Sequence, residues 1–376
     1  MTSSTASRRA TGPARVIARA AKAPDALGMF AEASSGLRAL LPYDASVWRA
    51  TDPLTGLMAA PVRAENLDEG GCAVYWECEL FTENVNLYRD LAEAPEPVAS
   101  LREATGGLPA RSTLYQRFMR PRGFADELRA VLRVGGRPYG HLSLFRAKGR
   151  PAFDEAETRL VAGLVTPLAR VLRSFAEPAS HPPPGAPHGP GLLLLGPAGD
   201  LLSANDEARA YLDDLPAGPA TPTALGIRLP AWVRATALKA RAVADGHDRG
   251  PARVRVRTRS GRWLVCHASC LRGADGAPGP SAVVLEPAAT SEIVPLIVDA
   301  YELTERESQV TQCIARGLPT DRIARELHLS PHTVRDHVKA VFEKVRVSSR
   351  GELVGKLFTD HYAPFAEAGT IRPRLP

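Results

Sequence analysis

The chain has 376 residues, more than one ordinary hydrophobic core accommodates, so we expect two or three domains. Hydrophobic residues make up 44% of it and charged residues 23%, a globular composition that argues against a largely disordered chain. The formal charge of +6 favours an anionic partner without distinguishing nucleic acid, a membrane surface or an acidic protein.

The pattern of helices, strands and breaks predicts a multidomain α+β protein. Two antiparallel-sheet domains are expected first, followed by an all-α domain of four helices. In chain order we predict a disordered N-terminus (1–11), a first sheet domain (12–176), a Pro/Gly-rich linker (177–190), a second sheet domain (191–288), a short linker (289–300), the helical domain (301–362) and a tail (363–376).

The first domain mixes helices with strands. Its predicted elements are a helix at 25–41, two strands around a DPLTG turn at 45–62, a hairpin at 126–146 and a helix at 154–172 that Asp154 and Glu157 cap. In the hairpin, alternation places Leu128, Ala130, Leu132 and Val134 on one face. This order of elements resembles a GAF-type sensory domain, which implies a module for a small ligand or a partner protein.

Four aromatic side chains of the first domain allow two interpretations: Trp48, Tyr75, Trp76 and Tyr139. They can line a ligand pocket, or they can belong to the core, as aromatic side chains on strands and helices usually do. No cofactor is predicted, and the candidate ligand is an unknown small molecule.

The second domain opens with a strand, a tight turn, a strand and a helix at 192–212, for which Asn205 is the expected cap. A hairpin at 252–271 and a strand at 281–287 complete a short antiparallel sheet. This order resembles a PAS domain. The alternating arginines at 253, 255, 257 and 259 are interpreted as a solvated strand face, with an anionic docking strip as the alternative.

The cysteines indicate a reducing compartment, because five scattered thiols do not form a disulfide framework. Cys266, His267 and Cys270 suggest a metal site, but alternation along a strand points His267 away from the two thiols, so core packing is favoured. The N-terminus lacks an apolar signal segment, and GLLLLG at 191–196 is too short to span a bilayer. We expect a soluble, cytoplasmic protein with no membrane partner.

Residues 303–358 contain a run of short helices with clear start signals. Thr304 followed three residues later by Glu307 is a capping box. A second helix is expected from about 320 to 327, and a three-residue turn joins it to a third helix over about 331–345. Two helices joined by so short a turn cross steeply, which is the helix-turn-helix arrangement.

The third helix has two faces of opposite character. One is an apolar stripe of valines at 334, 338, 341 and 345, which is expected to pack on the preceding helices. The other carries Arg335, Asp336 and Lys339. A helix held in this way fits the major groove of DNA, where Arg and Lys donate to guanine and Asp accepts from cytosine.

The motifs LTERE, IARGL, IARELHLSPHTVRDHV and VSSRGEL, together about 60 residues in order, resemble the LuxR-type helix-turn-helix family. The resemblance implies binding to double-stranded DNA as a homodimer, with RNA polymerase as a further candidate partner. It implies base contacts by Arg335, Asp336 and Lys339. It implies phosphate contacts by Thr320, His332, Thr333, Lys344 and Arg350. It also implies pairing of subunits through Leu353, Val354 and Leu357, on a helix that begins at Ser349.

The sequence departs from the family pattern at two positions. Pro319 stands where the second helix usually has a serine cap, and Thr320 is expected to take over that role. Arg346 stands where a glycine usually follows the third helix, so it must adopt a left-handed conformation or the chain must leave the helix differently.

Three functions remain in competition at this point. The first is a DNA-binding regulator whose upstream domains bind a small molecule, and in the second those domains serve only for dimerisation or protein docking. In the third, residues 12–290 form an enzyme joined to a DNA-binding domain. No nucleotide loop, zinc-protease motif or nucleophile elbow is present, so we do not expect an enzyme.

Overall fold

The structure is a computed structural model that describes residues 3–68, 71–83, 85–176, 189–288 and 290–356. Most of the predicted linker at 177–190 and all of the predicted tail at 363–376 lie outside these ranges. The chain divides into two compact units: the first comprises Met1–Leu172, Pro187–Arg259 and Leu264–Pro287, and the second Arg173–Ala186, Ser260–Trp263 and Ala288–Pro376. Among the described residues no helix has the length and apolar character needed to cross a membrane.

Two five-stranded sheets organise the first unit. The helices up to residue 287 are α1 (Ser3–Ala20), α2 (Ala26–Arg38), α3 (Gly71–Glu77), α4 (Tyr88–Glu93), α5 (Leu101–Ala104), α6 (Glu155–Ser174), α7 (Asp206–Asp213) and α8 (Ala231–Ala244). The strands are β1 (Ala45–Thr51), β2 (Met58–Glu65), β3 (Val98–Ser100), β4 (Phe124–Val134), β5 (Arg137–Ala147), β6 (Gly191–Leu195), β7 (Leu201–Ala204), β8 (Ala220–Pro222), β9 (Arg228–Pro230), β10 (Arg253–Arg257), β11 (Trp263–Arg272) and β12 (Pro278–Pro287).

The two sheets have the same strand order. The first runs β2-β1-β5-β4-β3 and the second β7-β6-β12-β11-β10, with β8 and β9 forming a separate small hairpin. Counted within each sheet, both orders are therefore 2-1-5-4-3. Every pairing in the first sheet is antiparallel, as are those of β12 with β6 and β11 in the second.

Most predicted elements of this unit are confirmed. The helix at 25–41, the two strands at 45–62, the hairpin at 126–146 and the capped helix at 154–172 correspond to α2, β1–β2, β4–β5 and α6. Asn205 caps α7 by accepting a hydrogen bond from the amide of Ala208. The predicted disorder of residues 1–11 is wrong from Ser3 onward, because α1 begins there.

The first sheet is buried on both faces, whereas alternation predicted one apolar face. On the apolar face, the ring of Trp48 packs 6.0 Å from that of Phe30 in α2. There α6 approaches β5 so closely that a Cβ added to Gly140 would lie 2.8 Å from Cδ1 of Leu172. On the opposite face charged side chains of β1, β4 and β5 are buried as well, because the segment that runs from α3 to the π-helical turn Tyr115–Met119 covers them.

A buried ion pair joins the two sheets. Arg255 of β10 donates from Nη1 to both carboxylate oxygens of Asp52, at 2.9 and 2.7 Å, and its amide donates to Oδ2 at 2.8 Å. The side chain of Asp52 is fully buried and that of Arg255 is 8% exposed. This corrects the interpretation of a solvated face or a docking strip for Arg255, whereas Arg253 and Arg257 are half-buried and Arg259 is exposed. It also explains why two sheets predicted to be separate domains form one compact unit.

The second unit contains a series of short helices. They are α9 (Thr290–Ala300), α10 (Glu305–Ala315), α11 (Thr320–Glu326), α12 (Pro331–Val345) and α13 (Arg350–Val354). The predicted capping box is confirmed: Thr304 accepts from the amide of Glu307, and Glu307 accepts from the amide of Thr304. The predicted linker at 289–300 is wrong, because α9 occupies most of it.

Candidate functional site

The limits of α12 are set by local signals at its two ends. Ser330 accepts a hydrogen bond from the amide of Thr333 at 3.0 Å, and Pro331 is the first helical residue. At the other end Arg346 has φ +57° and ψ +54°, and its amide donates to the carbonyl of Phe342. Of the two predicted exits, the left-handed one is therefore present, although an arginine occupies it.

The start of α11 differs from the prediction that Thr320 caps it. Pro319 is the N-cap residue, and its side chain makes no capping hydrogen bond. Thr320 is the first residue inside the helix. The hydroxyl of Thr320 instead accepts from Nη2 of Arg350 at 2.8 Å, and Nη1 of Arg350 donates to the carbonyl of Leu318 at 3.0 Å. Two of the predicted phosphate contacts are thus hydrogen-bonded to each other and tie α13 to α11.

The two faces of α12 are distinct. Val334, Val341 and Val345 are fully buried, but Val338 is only half-buried, which narrows the predicted valine stripe. The three predicted base readers, Arg335, Asp336 and Lys339, are all exposed. This helix therefore offers charged groups to solvent while its other side is fixed against the domain.

A contact within α12 involves a predicted base reader. Nδ1 of His332 lies 3.0 Å from Oδ2 of Asp336, one helical turn away, and the two side chains are 81% and 67% exposed. His332 and Thr333 were both predicted to contact phosphates. Thr333 is half-buried, and its hydroxyl lies 2.8 Å from that of Ser330.

Lys344 has partners inside the helical unit. Its ammonium donates to Oε2 of Glu307 at 2.7 Å and to the carbonyl of Glu302 at 2.9 Å. Burial alone would raise the pKa of Glu307, but the hydrogen bonds from Lys344 and from the amide of Thr304 lower it below its usual value. This geometry gives Lys344 a structural role, at the point where α12 meets the capping box of α10, instead of the predicted free position for a phosphate.

The predicted dimer contacts differ in accessibility. Leu353 is completely buried within its own chain, so it is not available to a second subunit, and this corrects the prediction for that residue. Val354 is half-buried, and Leu357 lies outside the described residues.

A cavity of about 370 Å³ lies beside the charged face of the first sheet. Its wall includes Tyr75 and Trp76, together with Val47, Val62, Arg49 and Phe118. Two other residues of the predicted pocket are not part of the wall. Trp48 points to the opposite, apolar face of the sheet, and Tyr139 is buried elsewhere.

A network of buried charges stands next to this cavity. Arg129 donates from Nη1 to Glu79 at 2.8 Å, and its Nε lies 3.1 Å from Oε2 of Glu127. The hydroxyl of Tyr75 donates to the other oxygen of Glu127 at 2.9 Å. Burial alone would lower the pKa of Arg129, but Glu127, Tyr75 and Glu79 raise it well above its usual value.

A histidine within this network is held neutral. His141 is fully buried and stacks on the ring of Tyr88 with centroids 4.0 Å apart. Burial, and next the charges of Arg49 and Arg129, lower its pKa well below the usual value.

This network was not predicted, because alternating charged residues on a strand are typical of a solvated face. The available signal was that such residues occur on three adjacent strands, at Arg49, at Glu127 and Arg129, and at His141.

The thiol and imidazole of the second sheet do not form a metal site. Cys266 is buried in the core, as favoured from the sequence, and burial raises the pKa of its thiol to about 12. His267 is exposed on the other side of β11. Across the described ranges, no group of three or more His, Cys, Asp or Glu side chains is arranged to hold a metal ion.

Comparison with known proteins shows which family the helices of the second unit resemble. Residues 301–357 match the family described as "Bacterial regulatory proteins, luxR family". Over 54 residues the chain is 43% identical to the nitrate/nitrite response regulator protein NarL of Escherichia coli K12, and over 56 residues it is 45% identical to the transcriptional regulatory protein UhpA of the same organism. These alignments cover 14% and 15% of this chain. The C-terminal part of the chain is therefore a luxR-type helix-turn-helix domain.

The likeness to whole proteins is limited. The chain spans 25% of the length of NarL and 29% of that of UhpA. Among solved structures, Escherichia coli SdiA aligns over 94% of this chain and 97% of its own at 13% identity, with a TM-score of 0.34. The phage VqmA–DPO complex aligns over 50% of this chain and 88% of its own at 16% identity, with a TM-score of 0.23. Such TM-scores do not establish a shared overall fold.

Proposed function

We propose that the chain is a sequence-specific, DNA-binding transcription regulator whose first unit senses a small molecule. The observation that carries the proposal is the division of α12 into a buried face at Val334, Val341 and Val345 and an exposed face with Arg335 and Lys339. Groups presented in this way reach base edges when the helix lies in the major groove. The match of residues 301–357 to the luxR family supports this function for the domain.

In the proposed complex, Arg335 and Lys339 donate to guanine O6 and N7, and Asp336 accepts from the amino group of cytosine. His332 and Thr333 in the first turn of α12, and the bonded pair of Thr320 and Arg350, contact the sugar-phosphate backbone. Lys344 is left out of this set because Glu307 holds its ammonium. The backbone contacts supply affinity, and the exposed face of α12 supplies specificity.

The regulator acts as a homodimer on a two-fold operator in this proposal, with the region around Val354 at the axis. The two sheets of the first unit act as GAF-like and PAS-like sensory modules. The cavity beside the first sheet supports a sensory role, because a cleft with aromatic walls and a charged group is typical of ligand sites. A ligand there changes DNA binding only if it binds one state of the protein more tightly than the other.

The test is selection of bound duplexes from a random library by the full-length protein. We expect the recovered duplexes to share an inverted repeat. We also expect their affinity to fall with salt, by about 0.9 in the logarithmic slope for each phosphate neutralised. Recovery of sequences no different from the starting library, by protein shown to be folded, would contradict sequence-specific regulation.

A further inference from the structure

Asp336 differs from the two cations that accompany it on the exposed face of α12. Arg335 and Lys339 have no ion-pair partner among the described residues. Oδ2 of Asp336, in contrast, lies 3.0 Å from Nδ1 of His332, one helical turn nearer the start of α12. Of the three expected base readers, Asp336 is therefore the one with a neighbour that can fix its orientation.

The position of His332 decides on which side the carboxylate of Asp336 is held. Side chains of a helix lean toward its N-terminus, so Asp336 leans toward the first turn, where His332 stands. A carboxylate can also pair with a lysine three residues further on, but Asp336 and Lys339 form no such pair in the part of the chain described. The contact with His332 therefore keeps the carboxylate away from the ammonium of Lys339.

The imidazole and the carboxylate each keep one atom for DNA. With a proton on Nδ1, the ring of His332 donates to Oδ2 of Asp336, and Oδ1 has no hydrogen-bond partner among the described residues. Oδ1 can then accept from the amino group of a cytosine. Nε2 of His332 likewise has no partner in the described ranges, so the proposed contact of His332 to the DNA backbone uses a different nitrogen.

The contact should gain strength when DNA covers it. In the free protein the two side chains are 81% and 67% exposed, and an exposed pair of this kind contributes little to stability. Between the helix and the floor of the major groove most of the water is removed, so the same hydrogen bond becomes stronger. The effect of His332 is therefore expected in the complex and not in the stability of the free domain.

We propose that His332 is a positioning residue for base reading. It holds the carboxylate of Asp336 in the orientation that accepts from cytosine, and so sets the base preference at that position. The inference rests on the proposed base-reading role of α12 and adds to it a residue that acts through another.

A double-mutant cycle on DNA tests this role, with full-length protein on the selected duplex and its single-base variants. Asp336→Ala identifies the base pair of each half-site at which Asp336 acts, because the preference there is lost. We expect His332→Ala to reduce the preference at that same pair by about threefold to tenfold, since it removes a hydrogen bond to a charged group. In the Asp336→Ala protein, the further change His332→Ala should leave the preference at that pair unchanged and weaken all duplexes equally, through the lost backbone contact.

Two further variants separate positioning from the loss of an imidazole as such. His332→Gln keeps a donor at the spacing at which glutamine bonds to aspartate on a helix, and should retain most of the preference. His328→Asn removes an exposed imidazole from the turn before α12, at a left-handed position (φ +55°) that asparagine tolerates, and should leave the preference at every base pair unchanged. A loss of preference in either variant as large as in His332→Ala overturns the inference.

Three other results also overturn it: equal weakening on every duplex by His332→Ala with its preferences intact, the same loss of preference whether or not Asp336 is present, or no base pair that depends on Asp336. In each of these cases the regulator proposal stands if the wild-type protein selects an inverted repeat. Wild-type protein that is folded and selects no duplex refutes the regulator and this inference together.

Discussion

The helix-turn-helix domain and the first sheet place their cations in opposite environments. Arg335 and Lys339 of α12 are exposed, whereas Arg49 and Arg129 of the first sheet are 3% and 1% exposed. An exposed cation keeps its hydration and is free to meet a partner as large as DNA. A buried one has lost its hydration and needs fixed partners, such as Glu79, Glu127 and the hydroxyls of Tyr88 and Ser143.

This difference implies different consequences of mutation. Removing an exposed cation of α12 should change binding and leave folding nearly intact, because water replaces the lost contacts. Removing one partner of a buried pair should damage folding, because the remaining charge stays in a poorly solvated place.

The largest expected effect is at the ion pair that joins the two sheets. Asp52→Ala leaves Arg255 buried without its carboxylate and should lower the free energy of unfolding of the first unit by about 3–5 kcal/mol. Urea denaturation followed by tryptophan fluorescence measures it. The double variant Asp52→Ala/Arg255→Met should recover a large part of the loss. A loss below about 1 kcal/mol in the single variant would show that the pair is solvated in solution.

The next effect is a sensitivity of the first unit to acid. The pKa of His141 is lowered in the folded protein. Below the unfolded value of about 6.5, the unfolded chain therefore binds a proton that the folded chain does not bind. The stability of the unit should fall as the pH drops below about 6.5, with a slope of at most about 1.4 kcal/mol per pH unit, and should return above pH 6.5. Denaturation curves at several pH values measure this slope, and His141→Phe, which preserves the stacking on Tyr88, should flatten it. An equally steep slope in that variant would assign the effect to other groups.

The helical domain should also lose stability in acid, but at a lower pH than the first unit and by a smaller amount. The pKa of Glu307 is lowered, so its contribution is complete above its unfolded value of about 4.5 and is lost as the pH falls through the folded value. Glu307→Gln removes the charge opposite Lys344 and should cost about 1–2 kcal/mol at neutral pH. Thermal melting of the domain followed by circular dichroism at 222 nm, the signal of its helices, measures this. Lys339→Gln, which removes an exposed cation of the same helix, is the matched control and should leave the melting curve unchanged.

The smallest expected effect has the opposite sign. Arg346 holds a left-handed conformation that glycine adopts without strain, so Arg346→Gly should stabilise the domain by about 1 kcal/mol. A rise in the melting temperature of the helical transition would record it. Arg350→Gly, which instead breaks the bonds to Leu318 and Thr320, should lower that temperature, so a fall in both variants would contradict the strain at Arg346.

The same comparison explains how far the sequence alone predicts each part. The helical domain is specified by local signals: Thr304 with Glu307, and Ser330 with Pro331, mark helix starts within four residues, and the structure has both. Signals of this range are visible in a single sequence. The pairing of Lys344 with Glu307, 37 residues away, is not local, and Lys344 was therefore predicted to contact DNA instead.

The first sheet shows the opposite limit. Four of its five strands were predicted and β3 was not, and the burial of Arg129 and His141 depends on a covering segment that includes the π-helical turns Cys78–Thr82 and Tyr115–Met119. These turns have no periodic sequence pattern, so nothing local indicated that the charged strand face is covered. For the same reason the sequence suggested Tyr75 and Trp76 for the pocket but not Arg49, and it included Trp48, which faces the other side of the sheet.

The most direct test of the central claim, that the exposed face of α12 reads base sequence, compares Arg335→Ala with wild-type full-length protein on the selected duplex and its single-base variants. We predict that the variant protein folds normally and loses discrimination of about 1–3 kcal/mol at one base pair of each half-site, while the preference at the other positions is retained. Equal weakening on every duplex, with the preference at all positions unchanged, would contradict a base-reading role for α12.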